Sequence, residues 1–114
     1  MTDTTREPLI ARHCVPCEGG VAPLGEPRVQ EYLALIPAWE VRSGKLCRAL
    51  VFPNFVAAMR LLNEVANVAE AEGHHPDFCL HDYNKVDFSL WTHAIGGLSE
   101  NDFILAARID QLLP

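Results

Sequence analysis

Three of the five histidines, His74-His75 and His93, flank one stretch of the chain, residues 76–91. Imidazole is the side chain whose ordinary pKa, about 6.5, lets it both give and take protons near neutrality, so a cluster of three suits general acid–base chemistry. His-His-Pro has a plainer reading, a polar corner that closes a helix. Three imidazoles plus water also make a catalytic zinc centre. That alternative has less behind it, because no His-x-x-x-His pair occurs and no pattern supplies orienting partners; no metal is assigned.

A register argument brings two of these histidines together. If Tyr83 and Asn84 form a two-residue hairpin loop, opposed positions sum to 167, and His74 with His93 makes that sum. In a regular strand His75 would point the other way, although Gly73 and Pro76 make this a helix-to-strand corner where strict alternation need not hold.

The elements that must hold these residues can be read from patterning. Pro27 suits a helix N1 position, and Val29, Tyr32, Leu33 and Ile36 recur at helical spacing until Pro37 ends the run. Residues 39–42, a Ser43-Gly44-Lys45 turn and residues 46–52 predict a hairpin. Asn54 is a good N-cap for a long helix, with Phe55, Met59, Leu62, Val65, Ala66 and Ala69 as its apolar stripe and Gly73 as its stop. Residues 76–91 carry two further strands. Ser99 opens a final helix whose Phe103, Leu105, Ala106, Ile109 and Leu112 face inward, leaving Arg108 and Asp110 on a solvated face. The order αββαββα predicts an α+β fold, a four-stranded antiparallel sheet with three helices packed on one face.

Length and composition agree with one core. The 114 residues are 49% hydrophobic and 21% charged, which excludes a disordered, collagen-like or coiled-coil chain. Residues 1–25, with three prolines and three glycines, read as a partly irregular N-terminal arm, and residues 26–114 as a single domain. A formal charge of -6 has the wrong sign for phosphate backbones, so direct nucleic-acid contact is not expected. No secretory signal or membrane-length apolar run is read, and a cytoplasmic protein is expected.

The four cysteines do not form a disulfide framework in so apolar a chain, which points to a reducing compartment. Cys14-x-x-Cys17 beside His13 offers three ligands where zinc normally takes four, so inert thiols on a surface arm are preferred over a shared metal site, a disulfide or a redox pair. Cys47 and Cys79 are expected as small buried or half-buried strand residues.

Here the residues carry a resemblance. Glu70, His74-His75-Pro76, Tyr83, His93 and Asp102, at intervening spacings of three, six, nine and eight residues, resemble the signature of the pterin-4a-carbinolamine dehydratases. The likeness continues through Tyr83-Asn84-Lys85-Val86, Trp91-Thr92-His93, Gly96-Gly97-Leu98-Ser99, Asn101-Asp102-Phe103 and residues 106–110. Upstream, Leu35-Ile36-Pro37-Ala38-Trp39 and Phe52-Pro53-Asn54-Phe55 are similar to the family's helix-one and second-strand endings. The likeness covers about residues 27–112, and His13 to Gly20 resembles an extension found in some bacterial and plastid-type members.

The resemblance implies dehydration of 4a-hydroxytetrahydropterin to quinonoid dihydropterin, without metal or organic cofactor, recycling the pterin of aromatic amino acid hydroxylases. It implies His74 and His93 as acid and base, in roles that can exchange, and His75 as the group that positions the substrate. Asp102 is either an N3 capping residue or an orienting group for the His93 region. Glu70 is either an acid in a last helical turn or a second orienting group. Pro76, at the corner, is expected among the substrate-binding or orienting residues. Phe78 and Trp91 are either core or an apolar wall for a flat pterin. The family also implies a homodimer or homotetramer, a hydroxylase as partner, and a different class of function: a non-catalytic module that binds transcription regulators through protein contacts.

Overall fold

The computed structural model describes residues 7–14 and 22–114. Its elements are α1 (Glu7–Ile10), α2 (Glu26–Leu33), β1 (Glu40–Arg42), β2 (Lys45–Val51), α3 (Phe55–Glu72), β3 (Asp77–His81), β4 (Lys85–Leu90) and α4 (Glu100–Leu112), with a 3₁₀ turn at His93–Ile95. The fold is α+β, with three main helices and one antiparallel sheet in the order β1-β2-β4-β3. Among the described residues no helix is long and apolar enough to cross a membrane.

Strand alternation builds the core. In β4, Val86, Phe88 and Leu90 are buried while Lys85 and Asp87 are exposed, as period two requires when one face meets helices. Phe88 pairs with Phe78 of β3 and Arg48 of β2, and Leu90 with the buried Leu46. Against this face pack Leu61, Leu62 and Val65 of α3 and Phe103, Ile104, Ala107 and Ile109 of α4. Leu9 of α1 is fully buried in the same cluster.

The α3 caps follow the expectation. Asn54 accepts the Ala57 N–H at 2.8 Å, and Gly73 closes the helix at φ 67°, a left-handed conformation that costs glycine little. The buried stripe is displaced from the expected one. Ala58, Leu61, Leu62, Val65 and Ala69 face inward, whereas Phe55 and Met59 are 50% and 38% exposed. In periodicity alone both stripes are helical; the position of the sheet selects between them.

The second hairpin corrects the register. Its loop has three residues, Asp82-Tyr83-Asn84, so His81 pairs with Lys85 and opposed positions sum to 166 rather than 167. Asn84 is held outside the ladder, since its carbonyl accepts the Phe52 N–H and its side chain donates to the Phe52 carbonyl. Asp82 and Tyr83 adopt positive φ to make the turn.

The last helix also differs from its expected polarity. Asp110 is 7% exposed, accepts the Trp39 Nε1–H at 2.8 Å and pairs with Arg48. Arg108 is largely covered by the arm and lies 3.7 Å from Glu72. Neither belongs to a solvated face, because the arm and the first hairpin wrap around this side of α4. Cys47 is half-buried, but Cys79 is exposed on the open face of the sheet. Cys17 lies outside the described residues.

Candidate active site

The site forms where the end of α3, the start of β3 and the segment after β4 meet the N-terminus of α4. Gly73 turns the chain out of α3 and delivers His74-His75-Pro76 to this corner, while the 3₁₀ turn delivers His93. His74, His75 and His93 line one cavity of about 460 Å³, together with Pro76, Trp91 and Asn101. The shared cavity does not arise from strand pairing: β3 starts only at Asp77, and His93 lies in the 3₁₀ turn.

Each imidazole has a different environment. His74 Nε2 lies 2.7 Å from Asp102 Oδ1, and the two side chains are 13% and 0% exposed. Asp102 Oδ2 in turn accepts the Thr92 hydroxyl at 2.8 Å and the Ser99 N–H at 2.9 Å. Asp102 therefore makes the capping contact at the start of α4, bonds directly to His74 and reaches the His93 region only through Thr92. A carboxylate so fully engaged holds its partner ring in one orientation. His75 Nε2 meets Glu70 Oε2 at 2.5 Å in an exposed pair. His93 packs against Trp91 with centroids 4.0 Å apart and planes tilted by 47°, and Lys45 Nζ lies 4.8 Å from the centre of the same indole.

Trp91 and Pro76 thus border the histidine cavity. Phe78 does not. Half exposed and 6.2 Å from Phe88, it lines a neighbouring apolar groove with Glu70, His75 and Pro76. Sequence reasoning passed over Thr92 and Asn101. The signal for Thr92 was its place between Trp91 and His93; its burial and its bond to Asp102 depend on a turn that no local pattern announces. Among the described residues no group of three or more His, Cys, Asp or Glu side chains could hold a metal ion.

The geometry defines an α+β protein with an imidazole cluster backed by a buried carboxylate, a class suited to moving protons on a small ligand. The comparisons are more specific. The family model described as pterin 4 alpha carbinolamine dehydratase matches residues 22–112. A relative from Dechloromonas aromatica (strain RCB) is 45% identical over 105 residues, covering 92% of this chain and 93% of its own. One from Chlorobaculum tepidum is 42% identical over 109 residues, covering 92% and 97%. Both carry the provisional name pterin-4-alpha-carbinolamine dehydratase. A crystal structure of a transcriptional coactivator/pterin dehydratase from Brucella melitensis superimposes with a TM-score of 0.75 at 29% identity, covering 81% of this chain and 99% of that one. The chain belongs to the pterin-4-alpha-carbinolamine dehydratase family, a family of hydro-lyases.

Proposed function

We propose that this protein dehydrates 4a-hydroxytetrahydropterin to quinonoid dihydropterin, with its histidines as acid and base, and so returns pterin to aromatic amino acid hydroxylases. The observation that carries the reading is three imidazoles on one cavity, one of them fixed by a buried carboxylate. In the reaction the bond from C4a to the hydroxyl breaks, the hydroxyl leaves as water with an added proton, and a ring-nitrogen proton is removed. Two proton-carrying groups are required.

His74 is suited to the basic role. Donating Nε2–H to Asp102 leaves a lone pair on Nδ1 when the ring is neutral, and Asp102 stabilises the imidazolium once a proton is taken. Among the described residues His93 spends neither ring nitrogen on a protein partner, so it can protonate the departing hydroxyl. The reverse assignment serves the opposite face of the substrate stereocentre. His75, backed by Glu70, holds and polarises the pterin; Trp91 offers an aromatic edge beside it.

The test is a coupled assay in which a hydroxylase generates the 4a-hydroxypterin and its decay is followed with and without this protein. Acceleration is expected. Loss of a single general acid or base typically costs about 10² to 10⁴ in rate, so His74→Ala and His93→Ala should fall in that range and the double variant below both. Near-normal turnover in the double variant would sink the acid–base assignment.

A second reading is favoured by the coactivator named in the Brucella structure: a protein-binding module. Exposed Phe55, Val56 and Met59 on α3, together with the edge strand β3, provide surfaces for it, and for the homodimer or homotetramer that we also propose. Sedimentation velocity on the purified chain decides the oligomer, and absence of turnover in the coupled assay would favour the module.

A further inference from the structure

Glu72 breaks a local rule. It is the last residue of α3, where the helix dipole disfavours an acid, and the last turn of that helix holds no basic residue. Yet its side chain is only 6% exposed. A carboxylate in that position needs partners from elsewhere, and the N-terminal arm supplies them. His13 Nδ1 lies 2.9 Å from Glu72 Oε2, and the Cys14 N–H donates to Oε1 at 2.7 Å. Arg108 of α4 approaches the same carboxylate and donates to the Arg12 carbonyl at 2.6 Å.

The arm grips the other side of the junction as well. Arg12 pairs with Glu100 at 2.8 Å, and the Cys14 thiol points to the Asn101 carbonyl at 3.6 Å. Glu100, Asn101 and Asp102 are consecutive at the start of α4, and Gly73 and His74 follow Glu72 directly. Residues 12–14 therefore bridge the two chain ends whose meeting produces the His74–Asp102 hydrogen bond.

We propose that Glu72 is a positioning residue for His74: by receiving the Arg12–Cys14 segment it locks the end of α3 onto the start of α4 and sets the geometry of the His74–Asp102 pair. It touches no substrate and acts only through His74, so this inference rests on the proposed acid–base role of that ring. Misplacing a catalytic group by an ångström can cost up to about a hundredfold in rate.

The experiment measures kcat and KM for Glu72→Ala and Glu72→Gln, each in the wild-type and His74→Ala backgrounds. Ring ¹H–¹⁵N spectra of His74 in the folded variants give a second readout. Glu72→Ala should lower kcat by about tenfold to a hundredfold with KM within about twofold, as for an interaction realised in the transition state. Glu72→Gln should retain more. In the His74→Ala background neither change should lower kcat further, because residues acting through one group are not additive.

Losses that multiply in that background overturn the proposal. So do His74 ring signals that stay in place when Glu72 is replaced, with His81 at the far end of β3 as the reference ring. If the wild type itself shows no turnover, the dehydratase reading fails, and the ring spectra still decide the positioning role. Should Glu72→Ala fail to fold, Glu72→Gln, which keeps the shape and loses the charge, carries both readouts.

Discussion

At the scale of single residues, the arm junction makes two titration predictions. Burial, helped by the nearby charge of Glu72, pushes the Cys14 thiol up to about 12. Thiolate is the reactive form, so iodoacetamide at about pH 8 should leave Cys14 unmodified while labelling exposed Cys79, as read by peptide mass spectrometry. Comparable labelling of the two would show that the arm does not stay seated. For Glu72, burial pushes the carboxyl up, but His13, the Cys14 N–H and Arg108 outweigh it and leave it below its ordinary value of 4.5. A depressed carboxylate binds fewer protons folded than unfolded, so its stabilisation is fully present above that ordinary value and is lost as the pH falls through the folded one. Thermal melts should therefore separate wild type from Glu72→Gln near pH 7 and converge in acid, once the pH has fallen through the depressed folded value.

At the scale of elements, the corner between α3 and β3 depends on a helix stop that a side chain disfavours. An added Cβ at Gly73 would meet nothing within 4 Å, so Gly73→Ala strains only the backbone, at φ 67°. The expected cost is about 1–2 kcal/mol, read as a lowered urea midpoint with unchanged slope. Gly97 presents the opposite case. There a Cβ would come within 2.8 Å of Pro23, and the segment carrying Leu24, bonded through its N–H to the Leu98 carbonyl at 2.9 Å, would have to move. Gly97→Ala should thus release residues 22–25, detectable as faster amide exchange at Leu24; unchanged protection there would show that the neighbour yields easily.

At the scale of the whole molecule, a buried polar node ties the first hairpin to α4. Asp110 of α4 accepts from Trp39, just ahead of β1, and pairs with Arg48, which points inward from β2. Removing one member of a buried pair strands the other charge, at a cost of about 3–5 kcal/mol, whereas replacing both by apolar groups is often neutral. Asp110→Ala should therefore destabilise strongly in chemical denaturation, and an Arg48→Met/Asp110→Leu double variant should recover much of the loss. Equal destabilisation of both variants would mean that the indole contact, and not the ion pair, holds the first hairpin to α4.

Periodicity and punctuation in the sequence determined the element order from α2 onward, though not α1 in the arm: Asn54 and Gly73 bound α3, and Ser99 opens α4, because capping and left-handed φ are local demands that a few neighbouring residues satisfy. The histidine motif was legible for the same reason, as residue types at set spacings. What only the tertiary structure decided depends on contacts between distant segments. The hairpin register slipped by one because Asn84 bonds to Phe52, some thirty residues away in the chain. Asp102 bonds to the ring of His74, and not to that of His93, because α4 begins beside the end of α3. Asp110 and Arg108 read as ordinary surface charges until the arm and the first hairpin fold over them, since burial is a property of the assembled molecule and not of any one helix.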